Sequence, residues 1–186
     1  MKLPSYSPIP KVLETLTMTA ALTMTAAALG AAPAQAAGCS ARWGSTAKTG
    51  PSMTGAEILD VRAGRHTCYD RLVIDVAGDV RGAYDVRYVR SVTQDGSGHR
   101  VPLRGGADLQ VIVRAPVIAT DSLFHSHGEL TDVASYRTFR QVAWAGTFEG
   151  QTTVGLGTRA RLPFRVTVLQ GPGSGSRLVV DVAHRW

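Results

Sequence analysis

Two sets of alternating side chains are the first candidates for chemistry in this chain. His125, His127 and Glu129 are separated by single residues, so an extended backbone would place all three on one side, where they could meet a metal ion. The segment offers no fourth ligand and no evident residues to orient the other three. We therefore expect a solvated polar loop and no metal site.

The second set is His66, Cys68 and Asp70, which also alternate and could combine a cysteine nucleophile with a base. Residues 1–36 read as an export signal, as described below, and an oxidising compartment favours paired thiols, so we interpret Cys68 as half of a disulfide. The motif around a serine-hydrolase nucleophile is also lacking, because neither Ser97 nor Ser174 has a glycine two residues before it. The sequence thus favours a protein without catalytic residues or a cofactor.

Residues 136–150 carry more aromatic and arginine side chains than a strand requires. An extended backbone would give two mixed faces, one with Arg137, Phe139 and Gln141 and the other with Tyr136, Arg140 and Trp144. Arginine can hold a carboxylate in a fork, and aromatic rings can stack on sugars. The predicted ligand-binding residues are Arg137, Arg140, Trp144 and Glu149. The alternative is a half-buried strand whose aromatic side chains fill the core.

A seven-residue repeat indicates the kind of element that holds these side chains. Residues 71–77 (RLVIDVA) return as 177–183 (RLVVDVA), and each copy reads as a strand with three aliphatic side chains on one face. Asp75 and Asp181 fall on the opposite face. A carboxylate between such residues must be exposed or paired, so we predict structural ion pairs with arginine.

Short alternating runs separated by turn residues continue through the rest of the chain and predict an all-β domain. The predicted strands cover residues 56–62, 71–77, 84–91, 108–114, 136–146, 151–157, 163–169 and 177–183. Residues 148–150 read as a hairpin turn. One apolar and one charged face per strand is typical of a small antiparallel β-sandwich.

The N-terminal region reads as an export signal followed by a tether. Residues 1–36 have a basic start, a mostly apolar stretch and the cleavage pattern Ala34-Gln-Ala36, which predict a signal peptide. Residues 37–55 are small and polar, and we interpret them as a flexible arm on which Trp43 packs against the domain. The remaining residues, 56–186, form one predicted domain. We expect a protein that is secreted or associated with the cell envelope.

Cys39 has two possible fates in such a protein. In an oxidising compartment it would form a disulfide with Cys68 and tie the arm to the domain. Alternatively, the segment Ala36-Ala-Gly-Cys39 resembles the lipobox of bacterial lipoproteins, in which the cysteine carries the lipid. We favour the disulfide, because the partner is present and the lipobox lacks its usual leucine.

The charge of the chain favours acidic partners outside the cell. The net charge is +6, and removal of two lysines and one glutamate with the signal peptide leaves +5, nearly all from arginine. This charge suits peptidoglycan, teichoic acids or anionic lipid heads. The arginines are dispersed and no nucleic-acid motif accompanies them, so we expect no nucleic-acid binding.

Several segments together resemble the AMIN-like domain of exported actinobacterial proteins and lipoproteins. They are residues 68–76 (CYDRLVIDV), 101–106 (VPLRGG), 136–140 (YRTFR), 148–157 (FEGQTTVGLG) and 177–186 (RLVVDVAHRW), within a match over about residues 56–186. The wider AMIN family, found on cell-wall amidases and secretin-type pores, is a β-sandwich implicated in peptidoglycan targeting.

This resemblance implies a non-catalytic module that binds peptidoglycan or another anionic wall polymer, and it carries over no catalytic residue. Two alternatives stay open. One is a scaffold that contacts another envelope protein through a strand edge. The other is a metal-assisted wall hydrolase that uses His125, His127 and Glu129. The membrane would be reached only through a lipid on Cys39.

Overall fold

The computed structural model describes residues 38–39, 41–117 and 128–186, in which antiparallel strands form two facing sheets. The strands are β1 (Lys48–Thr49), β2 (Ile58–Arg65), β3 (Tyr69–Val76), β4 (Tyr84–Val89), β5 (Val92–Thr93), β6 (Arg100–Val101), β7 (Ala107–Val113), β8 (Phe139–Phe148), β9 (Gln151–Thr158), β10 (Phe164–Gln170) and β11 (Ser176–Ala183). The five-stranded sheet has the order β1-β4-β7-β9-β8, and the four-stranded sheet has the order β10-β11-β3-β2. The predicted small antiparallel β-sandwich is confirmed.

All eight strands expected from the alternating pattern are present, with ends within three residues of the expected ones. Three strands of two residues each, β1, β5 and β6, were not predicted because two residues show no alternation. β1 lies inside the predicted arm and pairs with β4. Trp43, also in that segment, packs edge-on against Tyr69 with ring centroids 5.7 Å apart.

The core lies between the two sheets and uses the aliphatic faces that the repeat predicts. The side chains of β3 and β11 that face the five-stranded sheet are fully or almost fully buried: Leu72, Ile74, Val76, Leu178, Val180 and Val182. Burial of such side chains stabilises the fold by about 1.5–3 kcal/mol each. The two copies of the repeat therefore form the two central strands of the four-stranded sheet.

The repeat also pairs with itself. β3 and β11 are antiparallel neighbours, and Val73 lies opposite Val179 at the centre of their register. Arg71 consequently lies opposite Asp181, and Arg177 lies opposite Asp75. The resulting local pseudo-twofold arrangement alternates cations and carboxylates across the outer face of the sheet.

A small hairpin covers part of the outer face of the five-stranded sheet. The chain that follows this hairpin requires a glycine at position 157. Val92 and Val101, from β5 and β6, form a second apolar cluster with Ala143 and Ala145 of β8. The chain that follows β6 crosses β9 so closely that a Cβ on Gly157 would lie 2.1 Å from the carbonyl oxygen of Arg104. Only glycine at this position lets the two backbones approach.

The turn predicted at residues 148–150 is confirmed. β8 and β9 are joined by Glu149 and Gly150, whose φ angles are +47° and +76°. Two consecutive positive φ angles define a type I′ turn, whose twist matches that of the flanking strands. Within the described part of the chain, no helix is long and apolar enough to cross a membrane.

Candidate functional site

The four predicted ligand-binding residues lie at different places along β8 and the segment before it. Arg140 is half-buried, and its guanidinium donates to the carbonyl oxygens of Tyr136, Arg137 and Phe139. Trp144 is 7% exposed and belongs to the main core, as the half-buried-strand alternative predicts. Glu149 is exposed in the type I′ turn at the far end of the hairpin. These four side chains are not brought together into one site.

Arg137, in contrast, lies on an open polar groove of about 610 Å³. The groove is lined by Arg65, His66, Thr67, Asp70, Ser135 and Arg137. Three elements supply these residues: the β2–β3 hairpin, the first residues of β3, and the segment that leads into β8. We call this feature the arginine groove.

Asp70 fixes the geometry of the arginine groove. It is fully buried, and its Oδ2 accepts hydrogen bonds from the backbone N–H groups of Thr138 and Phe139 at 2.6 and 3.1 Å. These bonds attach the start of β8 to β3, and thereby hold the arginine-bearing segment beside the β2–β3 hairpin. The other carboxylate oxygen, Oδ1, is buried and has no hydrogen-bond partner among the described residues.

His184 contacts both the β2–β3 hairpin and the segment that leads into β8. Its Nε2 lies 3.0 Å from the carbonyl oxygen of His66, which can only accept, so Nε2 carries the proton. Nδ1 lies 3.0 Å from Thr138 Oγ1. Nε2 is 3.9 Å from Asp70 Oδ1, which is too far for a hydrogen bond.

The predicted disulfide between Cys39 and Cys68 is present and links the N-terminal segment to the β2–β3 hairpin. Cys68 follows Thr67 directly, so the crosslink anchors the hairpin that forms one wall of the groove. The same bond removes the thiol that a nucleophilic Cys68 would need. A sulfur in this bond also has no valence left for a lipid, so lipidation of Cys39 would require the reduced protein.

The arginine side chains divide into two groups. Most arginines form ion pairs or donate to backbone carbonyl groups, and four form no side-chain hydrogen bond or ion pair with a described residue. These four are Arg42, Arg65, Arg90 and Arg137, and all are exposed. Arg65 and Arg137 line the same groove, whereas Arg42 and Arg90 lie elsewhere.

Tyr136 stands next to the arginine groove and experiences its charges. Burial raises the pKa of its hydroxyl, the charge of Asp70 raises this pKa further, and the charge of Arg65 lowers it. Its ring stacks on that of Phe139 with centroids 5.9 Å apart. The aromatic residue thus connects the charged groove to the core.

Three of the paired arginines lie on the outer face of the four-stranded sheet. Asp181 is 1% exposed and accepts from both Arg71 (2.6 and 2.9 Å) and Arg165 (2.8 Å). Asp75 accepts two hydrogen bonds from Arg62, at 2.8 and 3.0 Å. The hydrogen bond to Asp181 raises the pKa of Arg71. We call these five residues the charge ladder, and they confirm the predicted structural pairing of both aspartates.

Of the three candidate metal ligands in the sequence, the structure describes only Glu129. His125 and His127 lie outside the described residues. Glu129 forms an isolated bridge with Ala143, and both of its carboxylate oxygens accept from Arg104 at 2.7 and 2.9 Å. In the described part of the chain, no group of three or more histidine, cysteine and acidic residues is placed to hold a metal ion.

The sequence predicted Arg137 as a ligand-binding residue but did not connect it with Arg65, Asp70 or Ser135. Arg65 and Ser135 lie at the ends of separate segments, and the attachment of Thr138 to Asp70 helps to place them on the same groove. Asp70 was considered only as part of a nucleophile motif. A usable signal was that it stands at the first position of the alternating core face of β3, where a carboxylate needs a specific partner.

A comparison with family models agrees with the fold. The model of the AMIN-like domain matches residues 56–184, which is most of the chain. The protein therefore belongs to the AMIN-like domain family. No curated protein and no solved structure matches the chain.

Proposed function

We propose that this protein is a non-catalytic binding module of the cell envelope, and that it recognises peptidoglycan or another anionic wall polymer through the arginine groove. Membership of the AMIN-like family supports the class of function. The net positive charge and the predicted signal peptide support an acidic partner outside the cell.

The observation that carries this proposal is the pair of exposed, unpaired arginines on one groove. Guanidinium groups hold carboxylates and phosphates in two-pronged hydrogen bonds. Arg65 and Arg137 have no such partner among the described residues, and the hydroxyl groups of Thr67 and Ser135 line the space between the groove walls. The groove therefore offers a cationic, hydrogen-bonding surface to an anionic chain.

Of the four residues first predicted to bind ligand, Arg137 is the one that we retain at the centre of the site. Arg140 supports it by donating to the carbonyl oxygens of Tyr136, Arg137 and Phe139, and Trp144 anchors the strand that follows. Glu149 lies in the distant turn, and we assign it no contact in this groove. We therefore assign the main ligand contacts to arginine side chains and not to stacked aromatic rings.

A second candidate is strand addition by another envelope protein. β10 forms an edge of the four-stranded sheet, and no described strand pairs with its outer side. Thr167, Leu169 and Gln170 are exposed along this strand. An unprotected edge can accept an extended segment of a partner through backbone hydrogen bonds.

The test is retention of the purified protein on peptidoglycan sacculi, prepared with and without their attached polymers, across a salt series. We expect salt-sensitive retention that falls at least tenfold in an Arg65→Ala, Arg137→Ala double variant. The matched control is Arg42→Ala, Arg90→Ala, which removes the same charge from two other unpaired arginines. Equal loss in both variants would show a nonspecific charge effect, and no retention by the wild type would favour the edge-strand candidate.

A further inference from the structure

We propose that the arginine groove recognises a zwitterionic amino-acid end, with the ligand carboxylate held by Arg65 and Arg137 and the ligand ammonium group held by Asp70. This inference rests on the proposed function and deepens it, because it names the chemical group that the groove selects. Among wall polymers, the peptide stems of peptidoglycan can present an ammonium and a carboxylate on one carbon atom, whereas a polyol-phosphate backbone carries phosphate without an ammonium.

The first argument is the state of the Asp70 carboxylate. Its side chain is 1% exposed and lies at the groove, while Oδ2 is held by two backbone N–H groups. Oδ1 has no hydrogen-bond donor among the described residues. A buried carboxylate oxygen without a donor is unfavourable, and a cationic donor from a ligand would remove that penalty.

His184 does not supply this donor. Its Nε2–H already donates to the carbonyl oxygen of His66, and the Nε2 atom lies 3.9 Å from Asp70 Oδ1. An ammonium group has three protons and can satisfy several acceptors at once. It could therefore donate to Asp70 and also to the hydroxyl groups of Thr67 or Ser135.

The second argument is the separation of two opposite charges that the sheet places side by side. Arg65 and Asp70 are direct partners in the register of β2 and β3, a position at which opposite charges normally interact. They form no ion pair, because Asp70 is directed to the start of β8 and Arg65 remains exposed on the groove. A zwitterion would supply a carboxylate to Arg65 and an ammonium group to Asp70.

Arg137 supplies the second guanidinium from the segment that leads into β8. Together with Arg65 it would hold the ligand carboxylate, and Asp70 lines the same groove. The buried position of Oδ1 means that the ammonium must displace part of the groove wall. We therefore expect binding to perturb His66, which lines the groove, and His184, whose Nε2 donates to the carbonyl oxygen of His66.

The experiment is an NMR titration of the purified protein with three small molecules that share the five-carbon unit between the two ends of diaminopimelate. Diaminopimelate carries both groups at each end, pimelate carries only the carboxylates, and 1,5-diaminopentane carries only the ammonium groups. We expect saturable shifts around His66 and His184 with diaminopimelate, and at least tenfold weaker binding of the other two. Asp70→Asn should weaken diaminopimelate binding at least tenfold. Arg65→Ala should weaken it by the same factor, and because Arg65 is exposed, this variant provides the test if Asp70→Asn does not fold.

The outcomes separate this inference from the proposed function. Equal binding of pimelate and diaminopimelate, or no binding of any probe, would overturn the zwitterion inference. Arginine-dependent retention on sacculi would in that case still support wall binding. Selective diaminopimelate binding without retention on sacculi would support the inference about the groove and overturn the wall polymer as its natural source.

Discussion

The arginines of the charge ladder form ion pairs, whereas those of the arginine groove have no ion-pair partner among the described residues. In the ladder, Arg71 and Arg165 converge on one buried carboxylate, and Arg62 forms a two-pronged pair with Asp75. In the groove, Arg65 and Arg137 have no ion-pair partner among the described residues. For the arginines of β2 and β3, strand register rather than residue type decides whether the side chain forms an ion pair within the sheet.

The two regions share strands β2 and β3, which makes the difference informative. Asp181 lies on the outer face between Arg71 and Arg165, at a position where all three side chains can meet. Asp70 lies one residue before Arg71 and therefore on the inner face, where backbone N–H groups occupy it. A shift of one residue along β3 thus separates a completed ion pair from an incomplete one.

The largest expected effect concerns the two aspartates at equivalent positions of the repeat. Asp181→Ala removes three charge-assisted hydrogen bonds from a site that is 1% exposed, and we expect it to lower the free energy of unfolding by about 3 kcal/mol. Asp75→Ala, the matched control, removes a more exposed pair, and we expect a loss of about 1 kcal/mol. Urea unfolding of both variants measures the difference.

Equal losses from the two aspartates would show that burial of the carboxylate does not matter and would contradict the comparison. Binding to sacculi provides the complementary control. Both variants should retain it while folded, because neither aspartate lines the arginine groove.

A smaller effect is expected from the two arginines of the ladder taken singly. Arg71→Met or Arg165→Met keeps most of the apolar stem, and Asp181 keeps the other arginine, so each change should cost about 1 kcal/mol. The double variant leaves Asp181 buried without a cation and should cost more than the sum. A double-mutant cycle from urea unfolding measures this coupling. Strictly additive losses would contradict the shared-carboxylate interpretation.

The fold was largely predictable because each long strand carries its own signal. The repeat at residues 71–77 and 177–183 shows one aliphatic face, and burial of that face requires an opposing sheet. The aspartates of the repeat predicted arginine partners for the same local reason. Which arginines those were depends on strand order, and alternation within a strand contains no information about strand order.

The candidate site was less predictable because it is built from segment ends. Arg65, Asp70 and Arg137 lie on one groove because tertiary hydrogen bonds, including those from the N–H groups of Thr138 and Phe139 to Asp70, hold the start of β8 against β3. The interpretation of residues 136–150 as a binding strand failed to anticipate that Trp144 is directed into the core. Bulges in β8, between Phe139 and Gln141 and again after Trp144, shift its faces and defeat a simple alternation rule.

The smallest expected effect concerns a third kind of arginine, which is paired but fully solvated. Asp79 accepts from the side chain and the backbone N–H of Arg81, and these hydrogen bonds lower the pKa of Asp79 from 3.8 to about 2. Arg81→Ala removes the first of these bonds and should move the pKa part of the way back toward 3.8. A carboxyl-carbon NMR titration measures this change, and Arg90→Ala is the control that should leave it unaltered.

The sign of the linked stability effect follows from the direction of the shift. Because the pKa of Asp79 is lower in the folded protein, the pair stabilises the fold above the unfolded pKa, and this contribution disappears as the pH falls from about 4 to about 2. Both partners are exposed and screened by solvent, so Arg81→Ala should lower the stability to urea at pH 7 only slightly. A clear loss of stability at pH 7 would show that solvated pairs contribute as the ladder does. Burial of Asp181 would then no longer explain why the ladder stabilises the sheet.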